Sequence, residues 1–201
     1  MAASPPTAIR SRRFIGLYAA CLICSFGVFV PFVDLVPDAM GHGVPQFSAV
    51  LLLSVIGIGS TAGRFFLGGP ADRMGRSRAL MAMFAGMGFA LAIWAVSKDF
   101  WALAVFAFVY GVVYGGWVAI LPAVVMDYFG GRNVSGIIGI LYTSVAIGTL
   151  IGPIAAGFAF DMSHSYMVPI IAGVCANFIA AGIVAGTSKV REPITDMVEP
   201  T

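Results

Sequence analysis

The sequence predicts an all-α integral membrane protein built from six transmembrane helices. Three observations carry that reading. Of the 201 residues, 60% are hydrophobic and only 10% are charged, against roughly 25% charged in soluble domains. The apolar residues fall into six runs, at 14–36, 47–67, 79–96, 100–126, 136–160 and 167–187, each near the ~20 residues a helix needs to cross a bilayer. Arginine and lysine collect in alternate gaps between those runs, as the positive-inside rule requires of a chain that crosses repeatedly. Only helices and closed barrels satisfy their backbones in lipid, and these runs are far too long for barrel strands.

The first run follows Arg10, Arg12 and Arg13. It is too long for a secretory signal and no small-residue cleavage site ends it, so it reads as a retained helix. Asp34 lies ~30 Å above Phe14 at 1.5 Å per residue, which places it at the outer interface as a helix-end or gate acid. The second run sets Gly57, Thr61, Arg64 and Gly68 on one helical face, with small residues to admit a neighbour and leave room for the guanidinium. A permanent charge inside an apolar helix costs several kcal/mol or more unless it meets water, an anion or protein dipoles, so Arg64 is the first candidate for an anion site. It sits only ~9 Å from the inner end of its helix, too far from Asp34 to pair with it.

The third run follows a loop with Arg73, Arg76 and Arg78. The fourth carries Gly111 and Gly115 at small-xxx-small spacing, then Pro122. It also carries Tyr110, Tyr114 and Trp117 at i, i+4, i+7, which reads either as packing or as a cavity wall with hydroxyl donors. The fifth offers Tyr142, Thr143, Ser144 and Thr149 before Gly152-Pro153; the aliphatic hydroxyls are expected on backbone carbonyls. Asn177 in the sixth is expected to make an interhelical hydrogen bond.

The arginine alternation places both termini in the cytoplasm. The expected organisation is a cytoplasmic tail at 1–13, a six-helix body at 14–188 and a polar, disordered tail at 189–201. The expected location is a bacterial inner membrane. Asn133-Val134-Ser135 matches a glycosylation acceptor but falls on the cytoplasmic side. A net charge of +2 gives no footprint for nucleic acid. Cys21, Cys24 and Cys175 all lie in apolar runs and read as small filler. Short loops and two separated histidines, His42 and His164, leave no place for an enzyme's catalytic domain, and no cofactor is expected.

The stretch Gly68-Gly69-Pro70-Ala71-Asp72-Arg73-Met74-Gly75-Arg76-Ser77-Arg78 resembles the G-x-L-A-D-R-x-G-R loop motif of the major facilitator superfamily. Pro70 replaces the usual Leu, and Ser77 displaces the last basic residue to Arg78. The run from Phe29 to Pro37, the Asp127-Tyr128-Phe129-Gly130 that ends the fourth run, and Gly152-Pro153 with Asp161 are together similar to the C-terminal six-helix half of monocarboxylate-transporter or oxalate–formate-antiporter type carriers. The likeness covers about residues 13–190.

That resemblance implies two inverted three-helix repeats forming half of a carrier. It also implies that Arg64 binds a substrate carboxylate. Two positions depart from the pattern. Ser60 stands where the animal carriers place an acid four residues before the arginine, and the fifth run lacks the lysine of the oxalate antiporter pattern. The expected function is secondary transport of a small organic anion by alternating access, with symport and antiport both open. Arg64, Tyr110, Tyr114 and Tyr142 are the expected substrate contacts. Gly68, Asp72, Arg73, Gly75, Arg76 and Asp127 are the expected gating residues, with Asp127 paired to Arg73 or Arg76. The expected partners are a small carboxylate with a possible coupled proton, membrane lipid, and a second six-helix half supplied by another copy or a separate chain. The alternative is a non-transporting half-carrier, acting as a regulatory subunit or left as a truncated remnant.

Overall fold

The computed structural model describes residues 9–130 and 134–188. Most of the expected N-terminal tail, Arg132 and Asn133 in the fourth gap, and the expected tail at 189–201 lie outside the described residues. The helices are α1 (Arg12–Val28), α2 (Val30–Gly41), α3 (Gln46–Phe66), α4 (Gly68–Met74), α5 (Arg76–Val96), α6 (Phe100–Phe129), α7 (Val134–Ser163) and α8 (Met167–Ser188). Among the described residues, six helical stretches are long and apolar enough to cross a membrane: α1 with α2 as the first span, then α3, α5, α6, α7 and α8. They match the six apolar runs in order.

The boundaries differ where local chemistry overrides hydropathy. Pro31 lacks an N–H and clashes with the preceding turn, so the first span breaks at Phe29 and then runs on to Gly41, past the expected end at 36. The fifth span carries Pro153 inside α7 and continues to Ser163, just past the expected end at 160. The loop motif after α3 is itself a short helix, α4. Side chains and glycines mark the ends. Ser11 accepts from the Phe14 N–H at 3.1 Å, and Asp99 accepts from Trp101 and Ala102 at 3.1 Å, the N-cap arrangement that satisfies orphan donors. Gly75 adopts φ 89° and turns the chain between α4 and α5, a conformation that favours glycine.

The packing is two-fold in its logic. The first span packs on α7 and α8, the fourth span (α6) packs on α3 and α5, and α5 packs on α8. Exchanging the first three spans for the last three maps this set of contacts onto itself. Successive spans alternate in direction, so the first and fourth run oppositely and the two triplets are inverted repeats.

Glycines repeat the symmetry. Gly59 and Gly63 of α3 meet the backbone of α6 at Phe108, Val112 and Gly116, while Gly111 and Gly115 meet α3 at Ile56 and Ser60. In the equivalent crossing, Gly148 and Gly152 of α7 meet α1 at Leu22, Ser25 and Phe26. Helices in lipid gain little from apolar burial and associate through such close contact. A Cβ on Gly63 would collide with the Val112 carbonyl. Gly63→Leu should therefore lower stability by at least ~3 kcal/mol, the upper end for overpacking. Gly57 faces open space, so Gly57→Ala should stay within ~0.5 kcal/mol. Thermal unfolding in mild detergent separates the two, and equal melting points would refute the crossing.

Candidate functional site

Arg64 occupies the last turn of α3. Gly57, Thr61 and Arg64 do share a face, but it is an open one: Thr61 and Arg64 are exposed, and no neighbour comes near Gly57 or Gly68. The glycines that admit α6 are Gly59 and Gly63, on the other side of α3. The expectation that Arg64's own face receives a neighbour is therefore corrected, and the guanidinium lies on an uncovered side of the six-helix body. It has no hydrogen-bond or ion-pair partner among the described residues. The Thr61 hydroxyl is held by the Gly57 carbonyl at 3.1 Å.

The charge of Arg64 acts on the phenols of Tyr114 in α6 and Tyr142 in α7, and the phenol of Tyr114 also feels Tyr142. Three spans thus bring one cation and two phenols into electrostatic range of one another. Tyr114 is half-buried and Tyr142 exposed. Neither hydroxyl has a hydrogen-bond partner among the described residues.

Tyr110 does not have the position expected of a wall donor. It is fully buried, and its hydroxyl donates to the Val28 carbonyl at 2.6 Å. The break in the first span explains this. Phe32 N–H bonds to Phe29 O at 3.0 Å rather than reaching back to Val28. The Val28 carbonyl thereby loses its helical donor, and a buried carbonyl must find another.

Sequence reasoning missed Phe29 and Phe32. Both set their rings edge-on to Tyr114, at 6.3 and 5.5 Å between centroids, while Tyr110 stacks parallel on Tyr114 at 6.4 Å. Aromatic contacts of this geometry add to plain area burial and fix the Tyr114 ring. The signal was present as Pro31, whose break turns both phenylalanines toward α6. Trp117 is buried, with Nε1 unpartnered among the described residues.

A second cluster lies at the arginine-rich end. Arg76, the first residue of α5, reaches Asp72 of α4 at 3.0 Å through Nε and Asp127 of α6 at 2.8 Å through Nη1. The same Nη1 lies 3.4 Å from the Ala123 carbonyl, and Ser77 and Tyr128 share a hydrogen bond at 2.8 Å. Of the two partners expected for Asp127, the structure selects Arg76. Arg73 is exposed and makes no ion pair with a described residue. Gly75 supplies the turn that sets Arg76 between the two acids.

The remaining polar residues serve the helices. Thr143, Ser144 and Thr149 donate to carbonyls within α7. Asn177 donates to Gly173 O at 2.9 Å and accepts from Cys24 Sγ across the α1–α8 contact at 3.4 Å. Asp34 is not at a helix end; it lies inside α2 and is only 8% exposed.

Residues 7–197 match the family model of the Major Facilitator Superfamily. The chain belongs to the major facilitator superfamily. Among curated relatives, monocarboxylate transporter 12-B of Danio rerio is 31% identical over 76% of this chain and 33% of its own length. Monocarboxylate transporter 4 of Gallus gallus is 32% identical over 80% and 35%. Multidrug resistance protein MdtG of Escherichia coli is 28% identical over 75% and 38%. A mutant of the peptide transporter POT, crystallised in complex with sulfate, shares the fold with a TM-score of 0.69 at 17% identity, over 89% of this chain and 37% of that one.

The chain therefore spans between a third and two fifths of the length of these superfamily members. Its six spans, integral in the membrane, form half of a major facilitator fold. These superfamily relatives are transporters rather than enzymes.

Proposed function

We propose that this chain acts as half of a secondary active carrier for a small, monocarboxylate-like organic anion, working by alternating access against a second six-helix half. The observation that carries the reading is the bare guanidinium of Arg64 on an open face, within electrostatic range of the phenols of Tyr114 and Tyr142. A planar fork of donors matches a carboxylate, and phenol hydroxyls left without partners add donors for its oxygens. The monocarboxylate relatives point the same way, and a cationic cargo would be repelled by Arg64. An acid one helical turn before Arg64 is not available for proton coupling, because Ser60 stands there. Both termini would face the cytoplasm of a bacterial inner membrane, following the arginine bias.

The test is uptake of labelled lactate, pyruvate and formate into proteoliposomes containing the chain, alone and with any second half that copurifies. Uptake of none of the three by a monodisperse assembly of two halves would favour the non-transporting subunit instead.

In this reading the Arg76 bridge, with Gly68, Asp72, Arg73 and Gly75 around it, forms the cytoplasmic gate. It ties α4, which follows the second span, and the end of the fourth span to the start of the third. Exposed pairs contribute little to stability, but a small bias between two conformations shifts their populations several-fold. In a double-mutant cycle of Arg76→Gln and Asp127→Asn, the labelling rate of a cysteine placed at Met74 should change non-additively. Additive effects would exclude the gate.

A further inference from the structure

The arginine-rich end holds a cavity that the Arg76 bridge does not use up. It measures ~540 Å³ and lies where the start of α5 faces the end of α8, with Arg76, Ser77, Arg78 and Met81 on one side and Ala185 and Ser188 on the other. Most of its polar groups are already engaged. Arg76 is held by Asp72 and Asp127, Ser77 shares a hydrogen bond with Tyr128, and the Ser188 hydroxyl donates to the Ala185 carbonyl at 3.1 Å. Arg78 differs from them. It is exposed and makes no hydrogen bond or ion pair with a described residue.

Apolar side chains continue from the cavity toward the bilayer centre. Arg78 and Phe89 stand about three turns, ~16 Å, apart on one face of α5. Between them Met81 and Ala85 are half-buried. On α8, which packs against α5, Ala185, Ala181 and Phe178 likewise follow one face, and both alanines are half-buried. The deep end is closed by rings. Phe178 lies over Gly88 and meets Phe89 edge-on at 5.1 Å between centroids, and both rings are exposed. A free guanidinium at the membrane surface thus leads along small side chains to an aromatic floor.

We propose that this cavity holds the phosphate of an anionic phospholipid from the leaflet at the arginine-rich end, with Arg78 as its ligand and one acyl chain laid along the track to Phe89 and Phe178. The planar fork of an arginine matches phosphate oxygens. The charge around it selects the lipid. Among the described residues at this end the acids are Asp72 and Asp127, and both are turned onto Arg76. Arg73 and Arg78 are exposed and make no ion pair with a described residue, so the surface keeps a positive excess. Basic side chains at a membrane surface draw anionic lipids in just this way. A zwitterionic headgroup brings an ammonium group, for which no free carboxylate stands by. A soluble anion would leave the apolar track unused. The bound lipid joins the start of the third span to the end of the sixth, outside the bridge of Arg76. The assignment needs a bilayer and no substrate, so it does not rest on the carrier reading.

The experiment is native mass spectrometry of the full chain in mild detergent, offered equal amounts of phosphatidylglycerol and phosphatidylcholine with identical acyl chains. One phosphatidylglycerol per chain should be retained in preference to phosphatidylcholine. Arg78→Gln should cut that retention about fivefold, the equivalent of the ~1 kcal/mol of one basic residue at a membrane surface. Arg12→Gln removes an exposed cation from the same end and should change retention by less than about twofold, because it lies outside the cavity. Ala181→Phe keeps every arginine but fills the track, and it should lower retention as well. It carries the test if Arg78→Gln does not accumulate. Inorganic phosphate in excess should not displace the lipid. Equal retention of the two lipids, or equal losses in Arg78→Gln and Arg12→Gln, would mean diffuse attraction and overturn the site. Retention untouched by Ala181→Phe, or displacement by inorganic phosphate, would overturn the lipid as its occupant. No arm reads uptake, so failure here and failure of the carrier reading remain distinguishable.

Discussion

Replacing Arg64 by alanine should reduce carboxylate uptake roughly 30–150-fold while leaving folding intact. The size follows from the ~2–3 kcal/mol typical of a hydrogen bond to a charged group, at 1.4 kcal/mol per tenfold. Folding should survive because Arg64 makes no hydrogen bond or ion pair with a described residue and lies on an open face. Arg64→Lys should lose much of the activity despite keeping the charge, since a point ammonium cannot replace a planar fork. The loss should appear in lactate, pyruvate and formate alike, at matched membrane expression. Tyr114→Phe and Tyr142→Phe should cost less, as each removes one neutral donor. Tyr110→Phe should act differently. It strands the Val28 carbonyl in an apolar setting, so it should lower the melting temperature and leave the affinity for substrate unchanged. Normal uptake by a well-expressed Arg64→Ala protein would show that the guanidinium has no role in binding.

That contrast between Tyr110 and Tyr114 shows how far the sequence could be read. The six spans were legible because twenty apolar residues in a row have one stable solution in lipid. The turn at Gly75 was legible because a loop motif fixes residues that lie close in sequence; the pairing of Asp127 with an arginine of the loop was legible because both stand at span ends on the arginine-rich side. The roles of the tyrosines were not. Tyr110 and Tyr114 are one turn apart on the same helix and read identically by period. What separates them is a carbonyl freed by Pro31, some eighty residues earlier in the chain, and nothing in the fourth run records it.

The facing of α3 was hidden for a related reason. A soluble helix shows its buried side by hydropathy, but a membrane helix is apolar on the lipid side as well. The sequence reading took the row through Gly57, whereas α6 packs on the row through Gly59 and Gly63. Asp34 was placed at a helix end by counting residues from Phe14, but the first span runs on to Gly41, so Asp34 lies inside α2 and is buried.

The exposure of Arg64 leads to the remaining expected result, which concerns assembly. In a bilayer the six-helix body should not stand alone. An arginine turned to lipid costs roughly 3 kcal/mol on insertion scales, and more by other measures. Tyr142 and Thr143 of α7 are exposed as well. A second six-helix body that covers this face turns the same groups into the lining of a water-filled cavity, where they cost little. The same arginine bias in a second copy gives it the same orientation, so a parallel two-fold pair is the expected self-assembly, with the first, second, fourth and fifth spans near the seam. Two copies of Arg64 would then face one cavity. Their repulsion should ease when an anion sits between them, so lactate or formate should tighten the pair, and Arg64→Ala should remove that dependence on ligand. Mass measurement in nanodiscs, with and without lactate, reads both effects. A heterodimer with a separate first half would appear instead as one copy of this chain beside a different partner. A monodisperse monomer whose residue 64 position, carrying Arg64→Cys, is closed to water-soluble thiol reagents would leave the guanidinium with neither cavity nor partner, and the half-carrier reading would fall with it.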